Sequence, residues 1–229
     1  MHNENHLKSS DTIRDIVIGM SDGLTVPFAL AAGLSGAVQS SGIVVTAGIA
    51  EIVAGSIAMG LGGFLAGKTE SDHYNSELQR EYDEVERVPE QEKLEVREVF
   101  AGFGLSEKLQ HEVVEEIAKD KDKWVDFMMR YELGLEKPQA NRATQSAITI
   151  GISYIVGGII PLSPYFFISG SEEALYYSCF ITAFCLFIFG YFKSKVTGQP
   201  PLSGALKVLI IGALAAAAAF GMAKLINGK

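Results

Sequence analysis

Cysteine is nearly absent: the chain has two, Cys179 and Cys185, both in one apolar run. Six residues apart on a helix they face different sides, so no disulfide framework is expected. Histidine is scarce as well, with four in 229 residues. Without clustered His or Cys a structural zinc site is not expected. A di-iron oxidase needs two Glu-x-x-His motifs on helices, and only Glu70/His73 fits. His111, His2 and His6 read as surface residues. Positive charge is outnumbered, 19 Lys+Arg against 27 Asp+Glu, which argues against a phosphate-tracking nucleic-acid binder and in favour of cation partners. The leader MHNENHLKSSDT lacks an apolar stretch followed by a small-residue cleavage site, so no removable signal peptide is expected.

What the chain has in quantity is long apolar runs. Residues 16–38 carry one charge, Asp22, and residues 43–66 carry one, Glu51; residues 143–162, 175–192 and 206–226 follow. Runs of this length span about 30 Å of hydrocarbon. The spacing predicts an all-α membrane protein of five transmembrane helices, its termini on opposite sides. The charge is elsewhere: residues 68–142 hold 20 of the acidic and 12 of the basic side chains, and so the whole net charge of −8. The expected organisation is a polar leader (1–15), helices 1 and 2 (16–68), an acidic three-helix domain (69–140) inserted between spans 2 and 3, and helices 3 to 5 (141–229). Lys and Arg are missing from the 39–41 and 163–174 links but flank the opposite ends of the spans. By the positive-inside tendency the N-terminus and acidic domain are cytosolic. Glycines crowd the first three spans, which favours close helix packing and a homodimer.

In the acidic domain the first helix is expected to continue from the second span to Arg87, where Pro89 stops it. A second covers 90–118 with a break at Gly102 and Gly104, and a third covers 121–133. At 100° per residue Glu70, Glu77, Glu81 and Glu84 share a window of about 60° along an apolar seam. Arg80 and Arg87 relieve their repulsion only in part. Glu92 and Glu95 fall on or beside the buried face of the second helix, and Glu132 falls inside the apolar stripe of the third. Buried carboxylates need partners. An arginine such as Arg97 or Arg130 is one; a divalent metal cluster is the other. Glu81/Glu84, Glu92/Glu95 and Met129/Glu132 supply hard oxygen with an optional thioether, a set that suits Fe²⁺, Mn²⁺ or Zn²⁺ and tolerates other divalents such as Co²⁺.

Asp22 is expected about 9 Å into its helix, level with Met59 on the returning one, with Glu51 about 22 Å from the cytosolic side. Ionisable groups at depth are expensive and mark ion pathways. A carboxylate that sheds a proton to bind a cation is the minimum device for exchange, so Asp22, Glu51 and Met59 are the candidate pathway of a proton-coupled exporter.

The segments DTIRDIVIGMSDGLTVPFALAAGL and EIVAGSIAMGLGGFLAGKTESDHY, followed by the acidic insert and three spans, closely resemble the vacuolar iron transporter family of plants and fungi. The resemblance implies a dimer of five-helix protomers in the vacuolar membrane that moves Fe²⁺, and in some members Mn²⁺, into the vacuole against protons. It implies metal-collecting roles for Glu81, Glu84, Glu92, Glu95 and Glu132, with Met128 and Met129 beside them, and no prosthetic group or catalysis. The alternative is a membrane-tethered metal enzyme or iron sensor; Asp22 and Glu51 argue against it, since an anchor has no use for buried acids.

Overall fold

The computed structural model describes residues 10–227, which are predominantly helical, with irregular connections such as 134–139 and one isolated bridge. His2, His6 and most of the polar leader lie outside the described residues. The helices are α1 (Ser10–Ser35), α2 (Ser41–Arg87), α3 (Pro89–Gly102), α4 (Glu107–Ile117), α5 (Lys121–Phe127), α6 (Arg142–Leu162), α7 (Ser171–Val196) and α8 (Pro201–Asn227). Five of them, α1, α2, α6, α7 and α8, are long and apolar enough to cross a membrane. The chain divides into two compact units, residues 65–142 and the remainder.

The larger unit contains two helical hairpins, α1–α2 and α6–α7, joined where they turn. Ser40 and Gly170 form an antiparallel bridge. The Ser41 N–H donates to Ser169 and the Ser171 N–H to Gln39. Ser35 and Tyr165 share a hydroxyl hydrogen bond of 2.9 Å. Ser40 and Gly170, like Ser35 and Tyr165, correspond at an offset of 130, and the two backbone hydrogen bonds flank the bridge symmetrically. Every buried residue between Gly23 and Gly60 also has a buried counterpart 130 residues on, from Ser153 to Gly190. The first hairpin therefore recurs as the second, with α8 added against α1 and α7.

Close approach is made possible by small residues. A side chain at Gly23 would overlap the Tyr154 carbonyl, and one at Gly157 would meet the Gly23 backbone. Gly190 and Gly204 play the same part between α7 and α8, against Ala205 and Ser194.

In the smaller unit α2 continues without a break to Arg87, and Pro89 opens α3 at a position where its missing N–H costs nothing. Where one broken helix is expected over 90–118, two separate helices form. Gly104 takes a left-handed φ of 80° and Ser106 starts α4 afresh. Asp120 caps α5 by accepting the Lys123 N–H. Beyond α5, Met128–Glu132 winds as a π-helical turn. The core of this unit is Tyr74, Val85, Val96, Val114, Trp124, Val125, Met128 and Met129.

Candidate functional site

Two acidic sites stand out, one in each unit. In the smaller unit α2 delivers Glu81 and Glu84 one turn apart, and Pro89 turns the chain back so that α3 brings Glu92 to meet them. One carboxylate oxygen from each of the three lies within 4.8 Å of the others. Glu95 and Glu132 join them around a cavity of about 370 Å³. Glu81 and Glu92 are each 2% exposed, and each keeps one buried oxygen with no hydrogen-bond partner. Such orphaned oxygens are rare in folded chains and need an occupant. A divalent cation fits this donor set.

The charges are costly without one. Desolvation, then the neighbouring charges of Glu95, Glu81 and Glu84, push Glu92 up to about 7. Desolvation, then Glu95, Glu81 and Glu92, bring Glu132 up to about 7 as well. Glu81 is raised by the same burial, with Glu84 adding to it and Arg80 opposing. The expected arginine partners are engaged elsewhere: Arg97 with Gln110 and Arg130 with Asp126.

The structure differs from expectation at two points. Glu132 lines the cavity with its side chain open to solvent rather than enclosed in an apolar stripe, while its carboxyl lies close enough to Glu95, Glu81 and Glu92 to lose part of its hydration. Met128 and Met129, at 0% and 1% exposure, are packed into the apolar core and do not line the cavity. Glu70 and His73 are exposed and stay outside it, His73 lying beside Glu77. Periodicity alone cannot decide between two apolar environments for a thioether.

In the larger unit Glu51 is half-buried, and one of its oxygens accepts a hydrogen bond from the Tyr154 hydroxyl. The other is buried with no partner. Tyr154 lies across Gly55 of α2 while its backbone packs on Gly23 of α1, the residue after Asp22. Glu51 also borders a groove lined by Ala29 and Gly33 of α1 and by Ala215 and Ala219 of α8. Asp22 is half-buried in the turn before Pro27, which deprives the Gly23 carbonyl of its helical donor.

The depths differ from expectation. Gly60 abuts Ala147, Gly23 abuts Tyr154, and Gly158 abuts Ile52, so along α6 Asp22 lies between Met59 and Glu51 rather than level with Met59. The reason is that α1 begins at Ser10, well before its apolar run. Tyr154 was missed because a tyrosine in an apolar run reads as core. So was Asp15, 2% exposed, two helical turns before Asp22 on the same face.

A sequence profile of the VIT family matches residues 13–224. The chain is 55% identical over 226 residues to "Vacuolar iron transporter 1" of Arabidopsis thaliana, covering 99% of this chain and 90% of that protein. It is 54% identical over 223 residues to "Vacuolar iron transporter" of Centaurea cyanus, with 97% and 91% covered. To "Protein CCC1" of Saccharomyces cerevisiae it is 40% identical over 225 residues, with 94% and 69% covered.

Proposed function

The chain belongs to the VIT family, and from that premise we propose that it is a proton-coupled secondary transporter moving Fe²⁺, together with Mn²⁺ and other divalent transition metals, from the cytosol into the vacuole. The observation that carries this reading is Glu51: a carboxylate within an otherwise apolar helix, held at one oxygen by Tyr154 and with the other oxygen buried and unpartnered. An anchor would not keep such a group, whereas a site that alternates between proton and metal requires one.

In this reading Glu81, Glu84, Glu92, Glu95 and Glu132 collect the ion on the cytosolic side, and Asp22, Glu51 and Met59 form the pathway. Met128 and Met129 shape the wall behind the collecting site from the core and do not coordinate the ion. The N-terminus and acidic unit are cytosolic, the C-terminus is luminal, and the protein works as a homodimer in the vacuolar membrane. Fe²⁺ is the substrate; the protein's part is to present deprotonated oxygens, strip water and return a proton the other way.

The test is uptake of Fe²⁺ into liposomes that enclose a metal-sensitive dye and an acidic interior. Wild-type protein gives a dye response that collapses when the pH gradient is dissipated, and Asp22→Asn reduces it at least tenfold. Uptake by Asp22→Asn at the wild-type rate would show the pathway to be elsewhere.

A further inference from the structure

Among the described residues Arg80 is the arginine that pairs with the acidic cluster, and the collecting role alone gives it no purpose. The Arg80 guanidinium lies 2.8 Å from Glu77, 3.4 Å from Glu84 and 3.7 Å from Glu81. It therefore contacts two of the three carboxylates whose oxygens converge most closely. Arg87 is the other basic residue lining the cavity. The Arg80 side chain is 52% exposed, so it can leave the cluster for water without unpacking the core. Its charge does not complete the site either, since Glu81 and Glu92 keep unpartnered oxygens with Arg80 in place.

We propose that Arg80 is the resident counter-ion of the metal-free cluster, and that it must release Glu84 and Glu81 before a divalent ion can take their oxygens. Arg80 thereby holds the affinity of the trap low enough for the ion to be passed on. This rests on the reading of the cluster as the metal-collecting site.

Arginine and a divalent ion compete for the same carboxylates. A guanidinium fork satisfies neighbouring carboxylates in a fixed planar geometry. A divalent ion draws on the same carboxylates, Glu84 and Glu81, and is repelled by the guanidinium charge while it remains beside them. Exposed ion pairs contribute little stability, so the exchange is easily reversed. Placing the arginine at i+3 from Glu77, i−1 from Glu81 and i−4 from Glu84 keeps it against the cluster whenever the metal is gone.

The experiment uses the full chain in detergent, as wild type, Arg80→Gln and Arg80→Lys. Mn²⁺ binding is measured by calorimetric titration, and melting is followed by the fluorescence of Trp124, the single tryptophan, buried in the core of this unit. Arg80→Gln is expected to bind Mn²⁺ about tenfold more tightly. It should melt lower than wild type when metal-free and at the same temperature when saturated, because a displaced arginine no longer contributes. Arg80→Lys, a single-point charge, should bind about threefold more tightly than wild type.

Wild-type binding with Arg80→Gln equal or weaker overturns the proposal, as does a melting deficit that is the same with and without Mn²⁺. If Arg80→Gln does not fold, an unchanged affinity in Arg80→Lys overturns it. Wild-type protein that takes up no Mn²⁺ overturns the collecting-site reading, and this proposal with it.

Discussion

Glu92 shows at the scale of one residue how burial becomes chemistry. Its carboxyl and that of Glu132 titrate near 7 in the folded protein, against an ordinary value of 4.5. Between those values the folded state holds protons that the unfolded chain has lost. The stability from these two groups is therefore fully present below pH 4.5 and is lost as pH rises to about 7. The melting temperature of the metal-free acidic unit, read from Trp124, should fall across that window, and saturating Mn²⁺ should flatten the trend. A melting curve insensitive to pH between 5 and 7.5 would contradict the assignment.

Glu92→Gln removes the buried charge and one oxygen of the proposed metal site together. It should raise the metal-free melting temperature at pH 8 and weaken Mn²⁺ binding at least tenfold by calorimetric titration. Glu81 and Glu92 were legible in the sequence, because period 3.6 sets each beside an apolar seam. Tyr154 was not, since its hydrogen bond to Glu51 joins residues 103 apart and no local pattern encodes such a pair.

The hairpin is the unit at the next scale, and its repetition could not be read from the letters. Buried counterparts at the 130-residue offset mostly differ in identity, as Pro27 with Gly157, Ser35 with Tyr165 and Val44 with Ala174, although Ser41 matches Ser171 and Gly60 matches Gly190. What is preserved is a shape that admits close packing, which different small or compact side chains can supply. The proposed pathway groups belong to one copy only. Asp22, Glu51 and Met59 correspond to Ile152, Ile181 and Phe189, so the proposed pathway residues all lie in the first hairpin, while the second supplies Tyr154 as the hydrogen-bond donor to Glu51.

Close approach predicts opposite outcomes for two glycines. Gly23→Ala sets a methyl group against the Tyr154 backbone and should cost about 1–3 kcal/mol. Gly62→Ala meets nothing within 4 Å and should be neutral or stabilising by up to about 1 kcal/mol. Thermal unfolding of the two variants in detergent checks both. Equal stability would mean that the α1–α6 crossing is looser than described.

At the scale of the whole molecule the sequence was most informative. Five apolar runs, with all the net charge concentrated between the second and third, required a helical membrane protein carrying one acidic insert, and five membrane-length helices are present. Their boundaries were less legible. Each helix runs past its apolar core into polar residues, as α1 does by starting at Ser10 and α2 by continuing to Arg87. Hydropathy marks what lipid tolerates and not where backbone hydrogen bonding ends.

Membership of the VIT family and the membrane carboxylates lead to one claim about the whole protein, the exchange of a divalent ion for protons. Its most direct test records both fluxes at once in the same proteoliposomes, with a metal-sensitive dye and a pH-sensitive dye inside. The account predicts that Fe²⁺ entry and proton exit rise and fall together as the gradient is varied, and that Glu51→Gln abolishes both. Fe²⁺ entry with no proton counterflow, or undiminished exchange in Glu51→Gln, would contradict it.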